Sequence, residues 1–352
     1  DEMIRLRARI QAAWPDTPIG VYLADFGHQR TGNEQADVDE RNEWFLQLFE
    51  HYLLDKGPRP GLGFRARAVT CPTRNGSGPL RIAPTWAALH PGEVRHRSAP
   101  AQTVSSLGGD PDTVLAFTPL TANDPCKTVA AADAAGTATY RLPPATGDGY
   151  TLMGAPTVIA SLDVTGVNAQ LAARLWDVSP DGRQLLVSRQ VLRPRGGGAP
   201  EPFQLQPAGW HVAAGHALKL ELLGSDAPHY RPSNGVFAIR VRDLDLRLPV
   251  AEAPGAGPVT APAAPLMPAG ARPAVDLPPP RRLAARVTYP SCRVARVTVT
   301  GPAIEAVSVQ GARRDTRRPF AVRVRRRKAT LHVRVRRTGE TTKTLRVRMR
   351  VC

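Results

Sequence analysis

The chain has 352 residues, of which 42% are apolar. This content is enough to build a buried core, and it excludes a wholly disordered protein. No apolar run approaches the ~20 residues that a membrane-spanning helix needs, and no signal peptide is visible, so an integral membrane protein is not expected. The sequence starts at Asp1 rather than Met. This start predicts a processed chain or a piece of a longer one, and the length predicts two or three domains.

The charge is concentrated at the C-terminal end. Lys and Arg number 47 against 30 Asp and Glu, a net charge of +17. Residues 281–352 hold 19 Arg and 2 Lys but just three acidic residues, so this segment alone carries +18. The sequence therefore describes a nearly neutral body followed by a strongly basic module.

The first 60 residues have the pattern of an α/β segment. Residues 2–14 and 37–55 space apolar side chains as helices do, and the second helix shows a broad apolar face. Between them, residues 19–24 form a short apolar run of strand length, followed by Asp25-Phe26-Gly27-His28. A loop at the carboxyl end of such a strand is where α/β sheets place functional residues.

His28 is the candidate catalytic residue of this segment. A neutral imidazole can take a proton from a Ser hydroxyl and return it to a leaving group. A structural or solvated histidine is the alternative. No serine of the chain lies in a Gly-x-Ser-x-Gly elbow, and Gly76-Ser77-Gly78 has the character of a loop. The nucleophile that His28 would need is therefore not visible in this sequence.

From residue 61 to residue 249 the pattern changes to short β-strands separated by Gly, Pro, Asp and Asn. Ser179-Pro180-Asp181-Gly182 is a turn, because Pro fixes φ and Gly accepts positive φ. This pattern predicts a jelly-roll β-sandwich. The runs of strand character are Thr157–Asp163, Ala169–Val178, Gln184–Leu192, His216–Leu223 and Val236–Leu248.

Two further segments complete the predicted organisation. Residues 249–280 contain ten Pro, and we expect an extended linker without a packed core over 250–280. Residues 281–352 alternate apolar and basic side chains, which predicts a small Arg-rich β domain with one apolar face and one row of guanidinium groups. The predicted fold class is thus mainly β, with domains at 1–60, 61–249 and 281–352.

Four cysteines allow three disulfide connectivities, which sequence alone does not distinguish. We favour Cys71–Cys126 and Cys292–Cys352, since each pair then lies within one predicted domain. Such bridges imply an exported protein. Four free buried thiols are the alternative. The chain lacks a Cys-x-x-Cys or His-x-x-x-His spacing, so zinc is not expected.

The chain resembles the C-terminal part of the X-Pro dipeptidyl-peptidase and cocaine-esterase group of serine hydrolases, particularly exported versions from high-GC bacteria. The likeness covers roughly residues 1–250. The residues that carry it are Ala24-Asp25-Phe26-Gly27-His28-Gln29-Arg30, Trp44-Phe45, Tyr52-Leu53, Thr70-Cys71-Pro72, Asp124-Pro125-Cys126, Arg174 through Gly182, Arg189, Arg193-Pro194, Gly209-Trp210, Gly215-His216, Leu220-Glu221-Leu222, Ser225-Asp226 and Leu248-Pro249. Of these, Arg174 through Gly182 is the most specific stretch.

The resemblance implies a fold, a chemistry and a missing part. The family cleaves ester or amide bonds with a Ser-His-Asp triad on an α/β-hydrolase domain, beside which a jelly roll packs. His28 matches the triad histidine, and the family's Ser would lie upstream of this chain. Asp1 could be the triad Asp, but we favour an Asp a few residues earlier. Residues 1–60 would then be the C-terminal end of the hydrolase domain, 61–249 the jelly roll, and the substrate a peptide or ester.

Several other residues are candidates for sites. Trp176 and Trp210 on predicted strands could line a substrate groove, but core positions are favoured. Asp177 is interpreted as a turn or hydrogen-bonding residue rather than an acid catalyst. The spacing of Asp110, Asp112, Asp124 and Asp133 fits no calcium loop, and we interpret them as solvated. No cofactor and no metal are expected.

The basic module could contact phosphates through its Arg rows. Aromatic residues for base stacking are nearly absent, since residues 281–352 include just Tyr289 and Phe320, and nucleic acid is not the expected partner. An anionic cell-surface polymer or a lipid surface is favoured, and a merely solvated basic face is the alternative.

The sequence thus predicts the C-terminal portion of a secreted bacterial serine hydrolase, inactive as this chain alone. The alternative is a non-catalytic jelly-roll binding module with a basic tethering domain. Without its N-terminal half, the hydrolase remnant should expose Ile19, Val21 and Leu23, which predicts poor solubility.

Overall fold

The computed structural model describes residues 2–25, 34–71, 76–117, 126–263, 283–291, 294–300, 304–309, 321–325, 330–337 and 342–348. The chain forms two compact units. The first comprises residues 1–8, 18–46 and 60–271, and the second comprises residues 9–17, 47–59 and 272–352.

The N-terminal region has the predicted order of helix, strand and helix. Strand β1 pairs with β2 in parallel, and β2 pairs with β3 in antiparallel orientation. A parallel pair with a helix in its connection is the local arrangement of an α/β sheet. The elements are α1 (Glu2–Ala13), β1 (Val21–Leu23), α2 (Gln35–Leu54), β2 (Phe64–Ala66), β3 (Arg81–Ala83) and α3 (Trp86–Leu89).

The prediction that Ile19, Val21 and Leu23 form an exposed apolar surface is wrong. Val21 is buried, and the other two are half-buried. The reason is that β2 pairs with β1, while Trp44 of α2 lies over Gly20, where an added Cβ would come within 2.3 Å of the indole ring. Most of the exposed apolar side chains of this region lie on the two helices instead, and Trp14 and Ile82 are exposed as well. The exposed helix residues are Met3, Leu6, Phe45, Leu46, Phe49, Leu53 and Leu54.

The middle of the chain is a β-sandwich, which confirms the predicted fold class. The five strands predicted between residues 157 and 248 are all present. The elements are β4 (Gly92–Ser98), β5 (Gln102–Ser105), α4 (Pro111–Ala116), β6 (Thr128–Ala130), β7 (Ala138–Arg141), β8 (Tyr150–Gly154), β9 (Thr157–Gly166), β10 (Leu171–Val178), β11 (Arg183–Leu192), β12 (Pro200–Gln204), β13 (Ala208–Val212), β14 (Ala217–Leu223) and β15 (Phe237–Val250).

Two sheets enclose one large apolar core. The first has the order β6-β11-β10-β14-β7, and the second has the order β12-β9-β15-β8-β13, with β4 and β5 also paired to β15. Alternate residues of the strands point into the core, as the period of two requires. Leu171, Ala173 and Leu175 of β10 face Leu162, Ile239 and Val241 of the second sheet within this core.

The predicted linker is attached to the sandwich at its described end. Strand β15 runs to Val250, Val259 is buried in the sandwich core, and Thr260 exchanges backbone hydrogen bonds with Glu93. Residues 253–258 and 260–262 are exposed, and Ala251 and Val259 are the buried residues of the stretch 251–263. The extended linker over 250–280 stays a prediction. Residues 264–280 lie outside the described residues. The domain bounds remain predictions.

The C-terminal module consists of two three-stranded antiparallel sheets with the orders β16-β17-β19 and β18-β20-β21. Buried valines of these strands form a small core, which includes Val297, Val307, Val333, Val335 and Val347. The strands are β16 (Ala284–Ser291), β17 (Val294–Thr300), β18 (Ile304–Val309), β19 (Ala321–Arg325), β20 (Thr330–Arg337) and β21 (Lys343–Arg348).

Candidate functional site

A cleft lies between the small sheet and the sandwich, within the first compact unit. One wall is formed by the carboxyl ends of β1 and β2 together with α3, and the other by β11, β13 and the end of β8. Its volume is about 260 Å³. The backbone N–H of Val69 donates to the carbonyl of Gly209 at 2.9 Å, which joins the two walls. A concave, mostly apolar site with a few polar groups has the general form of a small-molecule pocket.

Two tryptophans and a methionine give the cleft its apolar surface: Trp86 on α3, Trp210 on β13 and Met153 on β8. The indole N–H of Trp210 donates to Oδ2 of Asp177 at 2.8 Å. Since that N–H is the one polar group of the side chain, Trp210 presents carbon atoms to the cleft.

Asp177 anchors Trp210 from within the sandwich. Its carboxylate is buried, and Oδ1 lies 3.0 Å from Nδ1 of His216. The interpretation of Asp177 as a hydrogen-bonding residue therefore agrees with its position. A buried carboxylate must be hydrogen-bonded to be tolerated, and these two partners hold it in place.

Charged residues line the other part of the cleft. Burial, together with the nearby charges of Asp37 and Glu34, raises the pKa of the Asp25 carboxyl. Asp25 is the last described residue before segment 26–33, which contains His28. The candidate catalytic residue thus lies outside the described residues, and its role remains a prediction.

Arg67 ties together the two ends of the connection that carries His28. Its backbone N–H donates to the carbonyl of Leu23 at the end of β1, at 2.9 Å. Its guanidinium bonds Glu40 Oε2 at 2.6 Å and lies 3.2 Å from Asp37 Oδ1, both on α2. Burial opposes ionisation of Glu40, but hydrogen bonds from Arg67 and Tyr22 lower the pKa of this carboxyl. Sequence reasoning missed Arg67, because its partners lie 27 and 30 residues away.

A second charged cluster lies buried on the outer face of the first sheet. Arg174 donates to Asp226 Oδ1 through Nε at 2.9 Å and Nη2 at 2.6 Å, and to Glu221 Oε2 through Nη1 at 3.2 Å. Trp176 is fully buried and donates to the same Glu221 oxygen at 3.1 Å. Of the two tryptophans considered from the sequence, Trp176 is a packed residue and Trp210 lines the cleft.

The acidic residues weighed for calcium have other roles where they are described. Asp110 caps α4 by accepting from the backbone N–H of Asp112 at 3.0 Å, and Asp133 forms an ion pair with Arg141 at 2.8 Å. Asp124 lies outside the described residues. Within the described ranges, no group of three His, Cys, Asp or Glu residues is placed to hold a metal ion.

The disulfide predicted in the body is present. Cys71 and Cys126 are bonded, with their Cα atoms 5.5 Å apart. Cys71 follows Val69 on one cleft wall, and Cys126 precedes β6, which pairs with β11 on the other wall. The second predicted pair, Cys292–Cys352, lies outside the described residues.

Comparison with protein families assigns the sandwich. The family model described as the X-Pro dipeptidyl-peptidase C-terminal non-catalytic domain matches residues 107–245. The match confirms, for these residues, the resemblance noted from the sequence to the C-terminal part of X-Pro dipeptidyl-peptidase and cocaine-esterase type proteins. A comparison with curated proteins gave no match.

Solved structures similar to this chain include hydrolases. An aminopeptidase from a marine sediment Thaumarchaeota archaeon is 11% identical (61% of this chain, 45% of that chain, TM-score 0.42). A CocE/NonD family hydrolase from Staphylococcus aureus is 12% identical (66% and 49%, TM-score 0.44). An α-amino acid ester hydrolase is 15% identical (62% and 46%, TM-score 0.40). The chain spans about half the length of these structures.

The segment that this family model matches supplies one wall of the cleft. Leu185, Trp210 and the anchoring Asp177 all belong to the matched segment, whereas Asp25 and Arg67 precede it. The buried Arg174–Asp226 cluster also lies within the matched segment. None of the described helices is both long and apolar enough to span a membrane.

Proposed function

We propose that this chain is the C-terminal portion of a secreted serine hydrolase of the X-Pro dipeptidyl-peptidase and ester hydrolase type. The observation that carries the proposal is the cleft. The non-catalytic domain walls it on one side, and the strand that precedes His28 ends on the other. A site of this kind brings residues of two domains to one substrate.

In the proposed mechanism His28 is the general base. It takes the proton of an upstream serine as the hydroxyl attacks the carbonyl of a peptide or ester, and it returns the proton to the leaving group. Water then attacks the acyl-enzyme with the same histidine as base. An upstream Asp would orient the imidazole. In this proposal the serine lies in the part of the hydrolase domain upstream of this chain, and so does the Asp that we favour over Asp1.

The N-terminal half of the hydrolase domain is the proposed partner of helix α2. Phe45 and Leu46 are 45% and 60% exposed on this helix, and such side chains favour a covering partner. We expect the isolated chain to be poorly soluble for this reason. Secretion is supported by the Cys71–Cys126 disulfide, since such bonds persist in oxidising compartments. The basic module would tether the enzyme to an anionic cell-surface polymer.

The experiment that tests the proposal begins with the intact mass of the native protein from its source. A mass well above the 37.9 kDa of this chain is expected. The native protein should then react with a fluorophosphonate probe at one serine. His28→Ala should abolish that labelling, while His51→Ala on α2 should leave it unchanged. A native mass near 37.9 kDa, or labelling that survives His28→Ala, would contradict the proposal.

Trp210 is expected to decide which substrates the cleft accepts. A cavity of about 150 Å³ holds benzene, so the volume of about 260 Å³ suits one ring and a few more atoms. In the full-length hydrolase, Trp210→Ala should lower kcat/KM about tenfold or more for a p-nitrophenyl cyclohexanecarboxylate, because the ring loses its contact surface. The p-nitrophenyl acetate reaction should change little.

His211 provides the control for this substitution. It is the neighbour of Trp210 on β13, is exposed, and lies 3.2 Å from the Thr151 hydroxyl. His211→Ala should leave both reactions unchanged. Equal losses of kcat/KM for the two esters in Trp210→Ala would instead indicate general damage to the fold.

A binding protein without catalysis is the second candidate function. The description of the matched family as a non-catalytic domain favours it. In that case the cleft would hold a ligand without reaction, and the native protein would contain no fluorophosphonate-reactive serine.

A further inference from the structure

The sheet β18-β20-β21 carries a diagonal row of exposed arginines on one face. Arg334 and Arg336 of β20 are exposed, while Val333 and Val335 between and beside them are buried. On β21, Arg346 and Arg348 are exposed and Val347 is buried. All four arginines therefore lie on the face opposite the small valine core.

The strand register arranges these four residues in a line. His332 pairs with Arg346, Arg334 with Thr344, and Thr330 with Arg348. On the exposed face, Arg336 and Arg334 thus occupy two successive positions of β20. The two positions that follow in the same direction are occupied by arginine on β21, by Arg346 and Arg348. The row runs diagonally as Arg336, Arg334, Arg346 and Arg348.

The spacing along this row is nearly uniform. Residues two apart on a strand are separated by about 6.8 Å, and diagonal neighbours on adjacent strands by about 7–8 Å. The row therefore presents one cation every ~7 Å over ~20 Å. An evenly spaced line of cations matches a linear polymer with an evenly spaced negative charge, because each charge then meets one guanidinium.

The repeat of about 7 Å points to a particular backbone. Two residues of a polypeptide have six backbone bonds and span about 7 Å when extended. A phosphodiester polymer of a three-carbon polyol also has six backbone bonds for each phosphate, so its extended repeat is similar. A guanidinium can also bond a phosphate through two N–H groups at once.

The hydroxyl residues beside the row fit this ligand. Thr344 pairs with Arg334 on one side, Ser308 pairs with it on the other, and Thr330 pairs with Arg348. Hydroxyl groups beside a guanidinium can donate to the remaining phosphate oxygens.

We propose that this row, formed by Arg334, Arg336, Arg346 and Arg348, binds an extended poly(polyol phosphate) chain. A lipid surface is a less suitable ligand, because its head groups form a two-dimensional array of charges that a single line of cations does not match. A single-stranded nucleic acid is less suited too, because strands β18, β20 and β21 contain no Phe, Tyr or Trp for base stacking, and His332 is the one smaller aromatic ring there. This proposal specifies the partner of the tethering role proposed above. Polymer binding is measured without hydrolase activity, so the binding test can fail while the proposed hydrolase function holds, and the reverse.

The test titrates the full chain with a synthetic glycerol phosphate octamer by calorimetry at several salt concentrations. Changing Arg334, Arg346 and Arg348 together to Ser should flatten the slope of log K against log salt by about 2, at about 0.7 for each phosphate contact. A second variant exchanges neighbours, Thr344→Arg with Arg346→Thr. It retains the net charge but breaks the row, and should bind about tenfold more weakly, the effect of one charge-assisted contact.

Three results would overturn the inference. The exchanged variant could bind as tightly as the unaltered chain, which would show that net charge alone matters. An oligothymidylate of eight residues could bind as tightly as the octamer, or phosphatidylglycerol vesicles could bind with the same dependence on the row. Melting curves of each variant confirm that the module is folded in every comparison.

Discussion

Replacing Asp226 by Ala should lower the free energy of unfolding by about 3–5 kcal/mol, the range measured when one partner of a buried ion pair is removed. Asp226 is fully buried, and both its bonds from Arg174 are within hydrogen-bond distance. Arg189 Nη1 lies 3.7 Å from its other oxygen. The substitution would leave two guanidinium groups without their shared carboxylate in a place that water does not reach.

The measurement is urea unfolding followed by tryptophan fluorescence. Asp163→Ala is the matched control, because Asp163 also pairs with an arginine, Arg242 Nε at 2.9 Å, but the pair is exposed to solvent. Exposed ion pairs contribute little, so this variant should unfold close to the unaltered chain. Equal losses in the free energy of unfolding for the two substitutions would show that burial does not determine how much the Arg174 cluster contributes to stability.

A further variant separates pairing from packing. Arg174→Met combined with Asp226→Leu removes both charges and keeps apolar volume. Replacing a buried pair by apolar residues is often neutral or stabilising. Glu221 loses its bond from Arg174 and Arg189 loses its ion pair with Asp226 in this variant, so it should recover part of the loss. A recovered free energy of unfolding would mean that the charged cluster adds little net stability. Its main role would then be to fix one arrangement of the side chains on the outer face.

Removing the Cys71–Cys126 disulfide should lower the free energy of unfolding by about 4 kcal/mol. The bond closes a loop with a sequence separation of 55, and the cost follows from the greater chain entropy of the unfolded state. The variant changes both cysteines to Ser, so that no free thiol remains. Thermal unfolding should shift to lower temperature, and a reducing agent should have the same effect on the unaltered chain.

Loss of the Cys71–Cys126 disulfide should also make the cleft more accessible to solvent. Because the disulfide lies between Val69 on one wall and β6, which pairs with Leu185 on the other, its loss removes a covalent link between the walls. Fluorescence quenching by acrylamide should increase for the cleft tryptophans. A double Ser variant that unfolds within about 1 kcal/mol of the parent would show that the loop is already constrained by other contacts.

Strand positions were predictable because the signals are local. Alternating side chains, and a turn such as Ser179–Gly182, arise from residues close in sequence, and the turn forms the expected bond from Gly182 N–H to Ser179 O at 3.0 Å. The partners of each strand were not predictable. Strand β15 pairs with β4, whose residues lie about 150 positions earlier, and no local pattern encodes that distance.

The burial of charged side chains is another feature that the local sequence pattern did not predict. Strand β14 alternates apolar residues with Lys219 and Glu221, a pattern typical of one solvated face. Both charged residues are nevertheless buried, because the surrounding chain covers this face. Lys219 donates to the carbonyl of Ala132 at 2.8 Å, and Phe117 packs on Trp176. Partners remote in sequence compensate the charges, so the pattern of the strand alone gives the wrong environment.

The class of fold, the basic module and the family resemblance follow from the order of residues, since composition, periodicity and motif are properties of the chain itself. The Cys71–Cys126 pairing was one of the connectivities that the sequence allowed, and the folded structure selects it. The cleft, the clamp formed by Arg67 and the anchoring of Trp210 by Asp177 follow only from the folded structure. Asp177 and Trp210 lie on different sheets, and they meet because the sandwich packs those sheets face to face. Packing of this kind arises from contacts between residues that are remote in sequence, so no single segment of the sequence predicts it.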